Sequence, residues 1–268
     1  MVQPAFSVSR IMALILRHWY VLRSSWPRLV ELAYWPTMQM IVWGFMTLFL
    51  AGQTSYVSQA FGVLLSAALL WDVLFRGQLG VSLSFFEEMY ARNLGNLFVS
   101  PLRPMELIGA LLAMSVIRTL VGIVPASILA IFFFGFSVYS LGLALVAFFV
   151  NLLVFAWAIG LAVSGMVLRW GLGAENLAWG AIFAILPLSC VYYPLSVLPD
   201  WLQPLAWSLP TVYVFEGMRA VLTDNVVRLD LMLWAGAINL LYLAFGIAAF
   251  VSAFQAARAR GLLFQQGE

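Results

Sequence analysis

SFFEEMYARNLGNLFVSPLRP, residues 84–104, stands between two long apolar runs at roughly 57–82 and 105–134. Within it Phe85, Phe86, Met89, Leu94, Leu97 and Phe98 mix with Glu87, Glu88, Arg92, Asn93 and Asn96. That mixture predicts a short amphipathic helix over 84–99, lying outside hydrocarbon and carrying both charge signs. Ser100-Pro101-Leu102-Arg103-Pro104 ends it, and Pro104 suits the first turn of the next helix, where its missing N–H costs nothing. The flanking runs each exceed the ~20 residues needed to cross a bilayer. A polar elbow between two such runs makes the chain a helical bundle solvated by lipid.

Composition agrees. Of the 268 residues 64% are hydrophobic and 9% charged, with a mean hydropathy of +1.01, against roughly 25% charged in a soluble domain. All 13 basic residues are Arg. Without Lys there is no P-loop lysine to hold phosphates and no amine for a Schiff base. The single Cys190 excludes an intrachain disulfide, a thiolate zinc site and a CxxC motif, and the single His18 leaves no His-rich metal site. The net charge of +2 comes with no basic run, so nothing points to nucleic acid. The first thirty residues lack a continuous apolar core with a small-residue cleavage site, so no signal peptide is read there and the N-terminus is expected to be retained.

Working outward, six crossings are predicted at roughly 33–52, 57–82, 105–134, 140–168, 176–198 and 229–254. Residues 1–32 form a separate unit, with 33–268 as the transmembrane domain. Over 8–26, Val8, Ile11, Met12, Ile15, Trp19, Leu22 and Trp26 share one helical face, with Arg10, Arg17, Ser24 and Arg28 opposite, the pattern of a helix lying in the membrane interface. Pro27 breaks it. Residues 199–228 mix Pro199, Pro204 and Pro210 with Trp201, Trp207 and Tyr213 among Asp200, Glu216, Arg219 and Asp224, which predicts a re-entrant or interfacial hairpin. With the N-terminus inside, nine Arg fall on the cytoplasmic side and only Arg219 and Arg228 outside, so both termini are placed in the cytoplasm.

Several charges fall within apolar runs. Asp72 and Arg76 stand at i,i+4 and can pair. They read either as a gate or cross-dimer contact, or as a structural pair near the cytoplasmic end of the bundle. Arg118 has no carboxylate at i±3 or i±4, so it requires a partner on another helix, water, or a lipid or substrate phosphate. Glu216 and Arg219 at i,i+3 read as a local pair. Tyr192 and Tyr193 beside Pro194 can line a path for sugars, lipid tails or flat drugs. His18 reads as a headgroup contact, Cys190 as a small buried apolar residue, and Gly160, Ala162, Ser164 and Gly165 as small residues that allow close helix packing. For the 84–99 segment the residues leave two readings: a relay of motion from a soluble partner, or a connecting loop on the headgroups.

Phe86-Glu87-Glu88, Arg92, Gly95, Leu97, Ser100-Pro101-Leu102-Arg103-Pro104 and Glu106-Leu107 resemble the coupling stretch of the ABC-2 type transporter permease family. Tyr193-Pro194, Leu198-Pro199, Trp201-Leu202-Gln203-Pro204, Pro210 and Glu216-Gly217-Met218-Arg219 are similar to that family's outer hairpin, and the N-terminal amphipathic helix fits its interface helix. The resemblance implies an all-α, six-helix fold of the type V exporter kind, paired as a dimer of two permeases in the bacterial inner membrane. It implies a cytosolic ABC ATPase dimer that binds ATP and Mg, with no cofactor on this chain and no catalysis by it. It makes Phe85, Phe86, Glu87, Glu88, Met89, Arg92 and Leu94 the candidate ATPase contacts, and Glu216 and Arg219, with Tyr192 and Tyr193, the candidate outer gate. The exported cargo would be amphipathic, lipid-like or glycan-bearing; a polysaccharide or drug exporter of the same family is the alternative. An integral-membrane enzyme or a scaffold stands further off, since one His, one Cys and scattered carboxylates do not assemble a catalytic cluster.

Overall fold

A computed structural model of the chain describes residues 6–51 and 61–259. Among the described residues it forms ten α-helices and no strand. Helix α1 (Val8–Arg23) is separated from α2 (Trp26–Ala51) by a turn at Ser24-Ser25. Pro27 therefore sits in the first turn of α2, where proline is tolerated, and α2 begins well before the crossing predicted at 33–52; Gly52-Gln53 lie outside the described residues.

Helix α3 (Phe61–Tyr90) corrects the sequence reading of the elbow. The predicted separate helix at 84–99 does not exist as one piece: Ser84–Tyr90 are the last turns of α3, and a break at 91–93 precedes the six-residue α4 (Leu94–Val99). Arg92 takes the left-handed backbone at φ +50°. A non-glycine residue in that region costs about 1–2 kcal/mol, so the chain reverses there only because its neighbours hold it.

Helix α5 (Pro104–Phe134) opens with proline, and Glu106 reaches back to accept the Arg103 backbone N–H at 2.9 Å. It ends at Gly135, φ +64°, where the Phe136 N–H bonds the Ala130 carbonyl at 3.3 Å, a left-handed stop that glycine makes without strain. Helix α6 (Leu143–Trp170) follows, then α7 (Leu177–Ile185), α8 (Gln203–Trp207), α9 (Pro210–Asp224) and α10 (Leu229–Ala259).

Among the described residues four helical segments are long and apolar enough to cross a membrane: Gly62–Tyr90, Pro104–Phe134, Leu143–Trp170 and Leu229–Ala259. They match the second, third, fourth and sixth predicted crossings. The first prediction falls on α2, which is long enough but carries Arg28, Glu31 and Gln39. The fifth, at 176–198, is not one helix: the apolar helical stretch covers only Leu177–Leu188, about 18 Å at 1.5 Å per residue against a core of about 30 Å. Pro187 explains the stop. It lies in a 3-10 turn, Leu186–Leu188, and has no N–H to continue an α-helical ladder.

Helix α3 occupies the middle, packed by α2, α5, α6 and α9. Lipid tails are as apolar as leucine, so helices associate in hydrocarbon through close packing rather than water exclusion. Small residues supply that closeness. A Cβ on Gly246 of α10 would lie 2.5 Å from the Ala158 carbonyl of α6, and one on Gly160 would meet Val81 Cβ of α3 at 2.7 Å. The interior has two layers. Met40, Leu74, Phe148, Phe155 and Phe215 fill one half; Phe85, Met89, Leu111, Phe250 and Phe254 fill the other, next to α1 and the elbow.

Candidate functional site

The elbow end is a clasp between α1 and the ends of α3 and α5. Glu106, fully buried, receives Arg10 through two bonds, Nη2 to Oε1 at 2.6 Å and Nε to Oε2 at 2.9 Å, plus the Ser7 N–H at 2.8 Å. Hydrogen bonding to that carboxylate raises the Arg10 pKa further above its ordinary value. Glu88, also buried, accepts from Arg17 Nη1 and Asn93 Nδ2, both at 2.8 Å. Glu87 accepts from Arg118 Nη2 at 2.7 Å and Arg28 Nη1 at 3.4 Å. His18, 1% exposed, sits between the two, with Nε2 3.4 Å from Glu88 Oε1 and Nδ1 3.7 Å from Glu87 Oε2.

This geometry changes three sequence readings and decides a fourth, that of Arg118. Arg10 and Arg17, partly exposed, edge the protein-facing side of α1, whose buried stripe is Leu14, His18 and Leu22, while Val8 and Met12 point outward. His18 is enclosed by protein rather than resting on headgroups. Arg118 has its partner on another helix, Glu87. And Phe85, Phe86, Glu88, Met89 and Leu94 are all interior, with Glu87 partly so. What the elbow presents to solvent is Tyr90, Ala91, Arg92, Val99 and Ser100. Tyr90 also donates its hydroxyl to Glu175 in the turn between α6 and α7. The elbow is thus tied to α1, to α5 and to the 171–176 turn at once.

Asp72 and Arg76 lie near the middle of α3 rather than at the elbow, 18 and 14 residues from Tyr90, about 27 and 21 Å along the helix. Both side chains are buried, but no ion pair joins them among those of the described residues, and Arg76 Nε has no hydrogen-bond partner. The Arg76 side chain threads a gap left by Gly122 of α5, where an added Cβ would come 2.8 Å from both Arg76 Cδ and the Leu32 carbonyl of α2.

At the opposite end, Glu216 and Arg219 of α9 pair at 2.9 Å, as their spacing predicts. Arg219 Nη2 also donates to the Cys190 carbonyl at 2.9 Å, and Glu216 Oε1 accepts the Leu195 N–H at 2.7 Å. The pair therefore pins the 190–195 segment to α9. Cys190 is buried, as its type predicts, at φ +51°. Tyr192 stacks on Trp43 of α2, centroids 4.3 Å apart and planes at 18°, and its hydroxyl accepts from Gln39 Nε2 at 3.5 Å. Tyr193 donates to the Pro187 carbonyl.

Sequence reasoning passed over Arg10, Arg17, Arg28 and Glu175 as site members. One signal existed: Arg10, Leu14, Arg17, His18 and Val21 fall within about a third of a turn of each other on a helical wheel, a second stripe beside the apolar one. Among the described residues no three His, Cys, Asp or Glu side chains gather as a metal cluster. A comparison with known families finds that the pattern of the ABC-2 type transporter matches residues 10–223, from α1 through α9. A comparison with curated proteins finds no match.

Proposed function

The chain belongs to the ABC-2 type transporter family, and from that premise, which makes it a multi-pass permease subunit of an ABC transporter, we propose that it works in export from the cytoplasm, with the elbow at 90–103 receiving the stroke of a cytosolic ATPase dimer. The observation that supports this most directly is the triple attachment of the elbow. A push on Arg92 or Val99 is delivered to α1 through Glu88 and Arg17, to α5 through Glu106 and Arg103, and to the α6–α7 turn through Tyr90 and Glu175. The contact surface shifts accordingly from Phe85, Phe86, Met89 and Leu94, which pack the interior, to Tyr90, Arg92 and Val99. Glu87 and Glu88 transmit from behind that surface.

The elbow end faces the cytoplasm of the inner membrane in this reading, because Arg10, Arg17, Arg23, Arg28, Arg92, Arg103, Arg169 and Arg258 gather there and only Arg219 and Arg228 mark the other end. Helix α2 adds a further crossing, and α7 with the segment to α9 forms a broken one closed on the outside by Glu216, Arg219, Tyr192 and Tyr193. One chain with four long apolar helices is too small to enclose a pathway, so two identical copies share it. The chain holds no nucleotide and no cofactor itself; ATP and Mg go to the partner. The cargo is an amphipathic, lipid-like or glycan-bearing molecule, consistent with aromatic faces at the outer closure and with Arg76 as a buried cation available to an acidic group.

The test is purification of the tagged chain from its own membranes, followed by transport in proteoliposomes. The expected result is an ATP-hydrolysing subunit in equal amount, whose turnover is retained but no longer drives transport when Arg92 and Val99 are replaced by Glu. Normal transport by that double variant overturns the assignment of the elbow; absence of any ATPase overturns the exporter reading.

A further inference from the structure

Below the tight contact of Gly246 with Ala158, helices α6 and α10 leave an open groove of about 410 Å³ on their flank, within the range of small-molecule pockets. Its walls are Ala162, Gly165 and Met166 of α6 and Ala249, Ala253 and Ala256 of α10, with Arg169 and Trp170 at its mouth. We propose that this groove binds one anionic phospholipid of the leaflet on the elbow side, with an acyl chain against the small residues and the phosphate on Arg169.

Three observations carry the assignment. Both helices are of membrane-crossing length and composition, so an occupant of a groove between them at this depth is immersed in hydrocarbon. Apart from Met166 and Ser252, which also lines the groove, the floor is cut back to Ala and Gly on both helices, which leaves an open channel rather than a closed cavity. The mouth carries an unspent charge. Arg10, Arg17, Arg28 and Arg118 each hold a carboxylate; Arg169, like Arg23, Arg92 and Arg258, is exposed with no hydrogen bond or ion pair to any described residue, and of these it alone lines the groove. A guanidinium at the headgroup level selects an anion with two parallel N–H bonds to phosphate oxygens. Trp170, exposed beside it, is the residue type that settles at that same depth. Charge complementarity therefore names the occupant, and the site lies apart from both the elbow clasp and the outer closure.

The experiment uses the full-length chain in nanodiscs containing a trace of phosphatidylglycerol with a photoreactive acyl chain, compared with phosphatidylcholine carrying the same chain. Cross-linked peptides are mapped, and the variants are Arg169→Gln, Arg169→Lys and Ala253→Trp. Phosphatidylglycerol is expected to label the 162–170 and 249–256 peptides. Arg169→Gln should cut that labelling about fivefold, the size of one headgroup-level cation. Arg169→Lys, which keeps the charge but loses the paired N–H geometry, should fall between wild type and Arg169→Gln, and Ala253→Trp, which fills the floor without touching charge, should abolish it. Equal labelling by phosphatidylcholine, or no change with Arg169→Gln, overturns the proposal in favour of ordinary boundary lipid. A change of oligomeric state with Ala253→Trp, with lipid labelling unaltered, overturns it in favour of a protein contact. A fall in labelling with unchanged elution and helicity marks a lost site rather than a lost fold.

Discussion

The two ends of the bundle are held by opposite means. At the elbow, ion pairs join residues far apart in the chain: Arg10 to Glu106, Arg17 to Glu88 and Arg28 to Glu87. At the hairpin, the pair Glu216–Arg219 lies within one turn of α9 and spends its remaining bonds on the backbone of the one segment packed against that helix, at Cys190 and Leu195. A long-range pair makes separate helices into one body; a local pair only stiffens a corner. The elbow end is therefore held as one unit across helices α1, α2, α3 and α5, whereas the hairpin end is held within its own corner.

That contrast can be broken. Replacing Glu106 by Ala leaves Arg10 without its carboxylate and strands two part-buried backbone N–H groups, those of Ser7 and Arg103; the two N–H groups set an expected loss of about 2 kcal/mol, read as a lower thermal unfolding midpoint of the purified chain together with faster proteolysis within α1. Glu216→Ala should lose about 1 kcal/mol, since Arg219 keeps the Cys190 and Val191 carbonyls, and should loosen only the 190–195 segment in hydrogen exchange. Equal losses, or exchange that spreads equally far, would erase the distinction. A double-mutant cycle sharpens it further: the Glu87–Arg118 coupling should come to about 1–2 kcal/mol, with the exposed-edge Arg28–Glu87 coupling below about 1 kcal/mol. The smallest effect on stability is expected at Arg92→Gly, where relief of the left-handed backbone offsets the added freedom of the unfolded chain to within about 1 kcal/mol. If the Arg92 side chain meets the ATPase, this variant keeps its unfolding midpoint while ATP turnover ceases to follow transport.

How much was legible in the sequence divides along the same line. The limits of α5 follow from the apolar run opened by Pro104, the start of α10 follows likewise although the helix continues five residues past the predicted 254, and the Glu216–Arg219 pair follows from spacing alone. The continuity of α3 through Glu87 and Glu88 does not. Two adjacent carboxylates at the end of an apolar run look like a solvated surface, and only the fold brings Arg17, His18, Arg28 and Arg118 to them. The apolar run at 176–198 misled for the opposite reason: hydropathy measures what a segment tolerates, whereas Pro187 decides whether its backbone can continue. Asp72 and Arg76 satisfy the spacing for a pair, yet the side chain of Arg76 is drawn instead into the gap above Gly122.

The unbroken course of α3 from Phe61 to Tyr90 has a mechanical corollary. Thirty residues make a stiff strut about 45 Å long, and a strut pivoting at its midpoint swings its two tips in contrary directions. A tilt of roughly 5° carries each tip roughly 2 Å on that length, so a displacement at one end of α3 is matched by an opposite one at the other within the same movement.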